Sequence, residues 1–265
     1  MNYFNDNIID LLLDEVINLN KEELKAVYKV FENGGIKTIE NQDTNKIFHF
    51  FLNQSLVAKK QFDLPFFIDN KKKKTLMIIG MDAKAGHAGN HIVLSTPYYL
   101  QAEAGRNTKA NDYWKIIEVI STEFNIYLTD VFKAYFVQEN TISNTITSYT
   151  SHPIHKKLIE KEIVEVKPDA VLCWGREARD LVANLLEIKL QSTISKDDIR
   201  KPYKKEIEGV TFSFLATPHP SRLTRPKSWE SFFAVNLSGE DYSNSKLRPK
   251  KLAEFIISAI KSQES

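Results

Sequence analysis

The chain has 265 residues and one cysteine, Cys173. An internal disulfide is therefore excluded, as are a Cys-x-x-Cys zinc site and a four-thiolate iron–sulfur cluster. No apolar run approaches the ~20 residues that cross a bilayer. Residues 1–20 mix Asp6, Asp10, Asp14 and Glu15 into their apolar positions, unlike a signal peptide. A Walker A sequence and a Gly-x-Ser-x-Gly elbow are both missing. What remains is the expectation of a soluble, cytoplasmic protein.

The composition, 42% hydrophobic and 26% charged, suits a globular protein with a proper core. The net charge of +2 hides an asymmetry: seven Lys/Arg stand against eleven Asp/Glu through residue 70, and 29 against 23 after it. A basic body behind an acidic leader is compatible with a polyanionic partner, and equally with an ordinary solvated surface.

Ile8, Ile9, Leu11, Leu12, Val16 and Ile17 recur at helical spacing, and Asn33-Gly34-Gly35 ends a second helix. A third amphipathic stretch runs from Asp43 to Ala58. Residues 1–70 thus read as a helical N-terminal extension, bounded by Asp63-Leu-Pro-Phe-Phe and a Lys71–Lys74 run that reads as a solvated turn or a phosphate contact. From 71 to 265 the rhythm is that of an α/β domain. Four short apolar runs, 75–81, 126–131, 169–175 and 211–217, suit buried parallel strands. Helical stretches at 112–124, 153–166 and 176–186 separate them, and another follows at 249–262. This alternation predicts a three-layer α/β/α sandwich around a four-stranded parallel sheet, with Ser192–Lys205 as a surface loop.

Ligands of such sheets sit at the carboxyl ends of the strands. There the sequence places Gly80-Met81-Asp82, Thr129-Asp130, Trp174-Gly175 and, after the fourth strand, His219-Pro220-Ser221. Asp82 opens a glycine-containing loop, where a carboxylate either orients water or caps the chain. His87 and His91 in that loop have i, i+4 spacing, but the segment is too rich in glycine for a helix, so no metal is expected. His219, between two prolines, reads as a rigid, exposed turn with either a ligand role or none. Arg222 and Arg225 make a basic rim beside it, suited with Ser221 to phosphates.

Together, Gly80-Met81-Asp82, Leu128-Thr-Asp-Val-Phe-Lys133, Glu165-Val-Lys-Pro-Asp-Ala-Val-Leu-Cys-Trp-Gly175 and His219-Pro-Ser-Arg-Leu223 resemble the uracil-DNA glycosylase superfamily in order and spacing. The resemblance covers about Leu76 to Leu223. It implies a cofactor-free monofunctional DNA glycosylase that hydrolyses the N-glycosidic bond of a nucleotide flipped from the DNA stack. Asp82 matches the carboxylate that supports water attack and the oxocarbenium-like sugar. His219 matches the histidine that stabilises charge on the departing base. Gly80 and Met81 would line the base pocket, Tyr98 is the best match to the aromatic that stacks on the base, and Ser221, Arg222, Leu223 and Arg225 would hold DNA. Leu223 matches the wedge that fills the vacated stack.

Two positions depart from that pattern. Asp130 stands where the uracil enzymes carry Asn. An ionised carboxylate offers only acceptors, which suit the N4 amino group of cytosine. Lys84 replaces a tyrosine that blocks C5 substituents, leaving room for such a group and a hydrogen bond to it. Both point to a C5-modified cytosine, such as the hydroxymethylated or glucosylated cytosine of phage DNA, and so to anti-phage defence. Uracil repair remains open, as do a catalytically silent nucleic-acid binder and an unrelated doubly wound hydrolase.

Overall fold

The computed structural model describes residues 6–32, 37–39, 57–82, 92–97, 112–138, 153–220, 226–236 and 248–264. Its helices are α1 (Asp6–Glu15), α2 (Lys21–Glu32), α3 (Asp112–Ile120), α4 (Ile154–Val166), α5 (Arg176–Leu185), α6 (Pro226–Asn236) and α7 (Arg248–Lys261). The strands are β1 (Lys37–Ile39), β2 (Val57–Asp63), β3 (Phe66–Ile68), β4 (Thr75–Asp82) and β5 (Ile92–Ser95), then β6 (Asn125–Phe132), β7 (Ala134–Gln138), β8 (Ala170–Trp174), β9 (Tyr203–Ile207) and β10 (Val210–Thr217). No helix among the described residues is long and apolar enough to cross a membrane.

The central sheet runs in the order β3-β6-β4-β8-β10-β9. β6, β4, β8 and β10 are mutually parallel, while β3 and β9 pair antiparallel at the two edges. Among the described residues the sheet therefore has six strands, four of them parallel, where four were expected. The two edge strands escaped notice because they are short or half-exposed: Tyr203–Ile207 alternates between partial and full exposure and reads as a charged loop. β6 and β8 are buried along their whole length, as strands covered on both faces must be. The right-handed crossover rule puts α3 on the face opposite α4 and α5, because the chain moves left from β4 to β6 and right from β6 to β8 to β10. α7 packs beside α3, and α1 beside α4.

A second sheet, in the order β1-β5-β2-β7, was not anticipated. It joins the first at one corner, where β6 passes through Lys133 into β7 and β2 passes through Leu64-Pro65 into β3. There the Asp63 N–H donates to the Lys133 carbonyl at 2.8 Å, the Leu64 N–H to the Ser95 carbonyl at 2.9 Å, and the Ser95 hydroxyl to the Asp63 carboxylate.

The leader is helical as expected through α1 and α2. The Asn20 N–H donates to the Glu23 carboxylate and the Glu23 N–H to the Asn20 side-chain oxygen, both at 2.9 Å, and this pair caps α2. Beyond them it is not helical throughout, since β2 and β3 pair with strands formed after residue 70. The expected third helix falls almost wholly outside the described residues, and its last two positions begin β2. The leader is bound to the body by packing and charge. Tyr28 donates to the Pro65 carbonyl and stacks on Phe66, and Glu15 pairs with Lys157 at 2.7 Å and with Lys161.

Lys71–Lys74 lies at the opposite sheet edge from the strand ends. Asn125 holds it by accepting from the Asn70 and Lys72 N–H groups and donating to the Lys72 carbonyl. Ser192–Lys205 is anchored rather than a free surface loop: Ile194 and Ile199 are buried, and Asp197 meets the buried Arg179 at 2.8 Å.

Candidate functional site

The four parallel strands end along one edge, and their register levels the chemistry there. Gly80 is paired with Asp130, Ile79 with Cys173, Ala216 with Cys173 and Thr217 with Trp174. Asp130, Gly80, Trp174 and Thr217 thus form a row across β6, β4, β8 and β10, about 14 Å wide at three strand spacings. Gly80 adds no side chain beside Asp130, which is 3% exposed. The backbone of Asp82, the last residue of β4, lies two residues beyond Gly80, and Met81 is partly buried against the core. Among the described residues the buried Thr217 hydroxyl has no hydrogen-bond partner. Cys173, just below the row, is no nucleophile, because burial pushes its thiol far up.

His219 follows β10 by two residues and is mostly buried, not on an exposed turn as expected. Gly175 lets it in. At φ 94 and ψ 157 that residue occupies a region open essentially to glycine, and a Cβ there would meet the His219 Cβ at 3.2 Å. Gly175→Ala should therefore cost about 1–3 kcal/mol and displace the imidazole. A lowered melting temperature with a shifted His219 imidazole signal in NMR spectra is the expected pattern. Wild-type stability and an unmoved imidazole signal in this variant would refute it.

Burial lowers the His219 pKa from 6.5 to about 4, so the ring is neutral at pH 7. The unfolded chain takes up that proton first. Stability is fully present above about pH 6.5 and is lost as the pH falls from there towards 4, by up to about 3 kcal/mol. His219→Asn should flatten this slope relative to wild type between pH 6.5 and 4.5 in denaturant melts. An unchanged slope would mean that His219 is not buried as a neutral ring.

Tyr113, in the first turn of α3, closes the row from above. Its ring stacks on Trp174 at 5.6 Å and 29° and meets His219 edge-on at 5.3 Å and 78°. Burial, then the nearby charges of Asp130 and Asp112, push its phenol up to about 12, so it stays a neutral hydroxyl.

Under Asp130 lies a buried polar network. Lys133, 1% exposed, reaches the Asp130 carbonyl at 2.7 Å, Glu162 at 2.9 Å and the Thr129 hydroxyl. The other Glu162 oxygen accepts from Tyr127 at 2.8 Å and Thr129 at 3.0 Å. Beside it His155, from the first turn of α4, stands edge-on to Phe132 at 4.7 Å, and Phe132 is the register partner of Asp82. Every Glu162 oxygen and the lysine ammonium are satisfied, which a buried ion pair requires. The network fixes the end of β6, and with it Asp130, to α4.

Gly80, Met81, Asp130 and His219 thus come together with the Asp82 backbone at one edge. Lys84, Tyr98, Ser221, Arg222, Leu223 and Arg225 lie outside the described residues, as do His87 and His91. Tyr113, Glu162 and His155 carried no sequence signal, and Lys133 was noticed only as the end of a motif. Among the described residues no three His, Cys, Asp or Glu side chains cluster as a metal site. No protein-family model matches the chain, and no curated protein matches it.

Proposed function

We propose that the chain is a monofunctional DNA glycosylase that flips out a pyrimidine nucleotide and leaves an abasic site, acting on C5-modified cytosine of phage DNA in anti-phage defence. The observation that carries this reading is the levelling of Gly80 and Asp130 beside the end of β4 at Asp82, with a neutral, buried His219 on the far side of the same row. Four parallel strands between helical layers, with two added edge strands, support the sandwich this activity would use.

In this mechanism the bond from C1′ to the base breaks with its electron pair going to the base. The oxygen of water bonds to C1′, and its proton ends on the base or in solvent. Asp82 holds the attacking water and stabilises the positive sugar. His219, neutral because it is buried, donates an N–H to the oxygen of the departing base, a preorganised contact that strengthens as charge develops. Asp130 accepts from the N4 amino group, and Lys84 contacts the C5 substituent. Tyr98 stacks on the base, Leu223 fills the gap in the duplex, and Ser221, Arg222 and Arg225 hold phosphates.

The test is a panel of DNAs carrying uracil, cytosine, 5-hydroxymethylcytosine or its glucosylated form, assayed for alkali-labile sites. Sites confined to the C5-modified DNAs are expected. Efficient excision of uracil with none from C5-modified cytosine would overturn the assignment of Asp130 and Lys84 and restore uracil repair.

A further inference from the structure

We propose that Tyr113 is the positioning residue of this site: its ring, seated between the Trp174 indole and the His219 imidazole, holds the imidazole in place from α3, across the row from the strand that carries it. Its kinetic consequence rests on the glycosylase reading, but the contact itself does not.

Three observations carry it. Tyr113 touches both partners as an aromatic, stacked on one and edge-on to the other, geometries worth about 0.5–1.5 kcal/mol per pair beyond the area buried. Trp174 is 1% exposed at the end of a fully buried strand, so the platform under Tyr113 is rigid. The third is at Gly175, where the missing side chain brings His219 against the β8 turn on one side while Tyr113 meets it on another. The imidazole is thereby held by the ends of two elements that are distant in sequence.

The same packing keeps water off the ring. Burial is the cause of the low His219 pKa, and Tyr113 supplies part of that cover. Among the described residues the charges of Asp130 on β6 and of Asp112 on its own helix act on the phenol.

The experiment is a histidine-specific NMR titration of the full-length wild type, Tyr113→Phe, Tyr113→Leu and Tyr113→Ala. The His219 signal is assigned by its loss in His219→Asn. Tyr113→Ala should move the His219 pKa up by about one unit or more towards 6.5 as water enters. Tyr113→Phe, which keeps the ring, should leave it in place. Tyr113→Leu, which keeps apolar volume, covers the case in which the alanine variant does not fold, and should give a smaller upward shift. In base-release assays the alanine or leucine variant should lose kcat by about tenfold to 10²-fold with KM little changed, and phenylalanine should rescue it. A His219 pKa unmoved in a folded Tyr113→Ala or Tyr113→Leu protein would overturn the proposal. The titration needs no activity. A wild type that releases no base while the pKa moves as expected would therefore sink the glycosylase reading and leave the role of Tyr113 standing.

Discussion

Alanine at His219 should lower the rate of base release by about 10²–10³-fold in single-turnover assays while DNA binding stays within a few-fold. The imidazole is mostly buried and neutral, so in the proposed mechanism its contribution is a hydrogen bond aimed at charge that appears only as the base departs. In the same proposal ground-state binding comes from phosphate contacts and base stacking elsewhere, which the substitution should leave in place. Asp82→Asn should cause a loss at least as large, since the amide cannot stabilise the positive sugar. A protein that only binds nucleic acid would show neither effect. Equal losses of binding and rate in the His219 variant would instead mean that the histidine holds DNA and takes no part in bond cleavage.

The second large effect is on stability. Glu162→Ala removes the counter-charge of Lys133, an ammonium with 1% of its side chain exposed, and strands the hydroxyls of Tyr127 and Thr129. Breaking such a pair costs about 3–5 kcal/mol, which for a chain of this size lowers the melting temperature by roughly 10 °C. Replacing both charges, as in Lys133→Met with Glu162→Leu, should recover the part of that loss that comes from the uncompensated ammonium, while the hydroxyls of Tyr127 and Thr129 stay without their acceptor. Denaturant melts of the three proteins decide it. A Glu162→Ala variant as stable as wild type would mean that water reaches Lys133. Partial recovery of stability in the double variant without recovery of base discrimination is the further expectation, since Lys133 also grips the Asp130 carbonyl.

The sequence made the centre of the fold legible for a physical reason. β4, β6, β8 and β10 are covered on both faces, so they stand out as short apolar runs, and the helices between them keep a clean amphipathic period. β2 carries Lys59, Lys60 and Asp63 and β9 carries Lys204, Lys205 and Glu206, β3 and β7 are short, and none of them stands out from flanking loops. The corner where Asp63, Ser95 and Lys133 meet joins residues that are far apart in sequence and leaves no local trace. α6 was missed as well, although Trp229, Phe232 and Phe233 pack together along it. Its start directly follows the Arg222 and Arg225 stretch in sequence, where basic residues mask the apolar period.

The site divides in the same way. Asp130 and His219 were legible because strand ends in a parallel sheet are where ligands bind. Their environments were not. His219 was expected on an exposed turn, and its burial depends on Gly175 and on Tyr113, more than a hundred residues earlier. Tyr98, which the resemblance places on the base, lies outside the described residues, and the ring that meets His219 is Tyr113 of α3. Glu162 looked like any helix-surface glutamate, since nothing nearby in sequence reveals that it faces Lys133 across β6.

The most direct test is mass-spectrometric detection of the free base released from C5-modified DNA by the wild-type protein in the presence of chelator. Free base equal in amount to the abasic sites, on a backbone that stays intact until alkali is added, is the result expected of a hydrolase that cuts only the N-glycosidic bond. Released nucleotides or strand breaks without free base would contradict it.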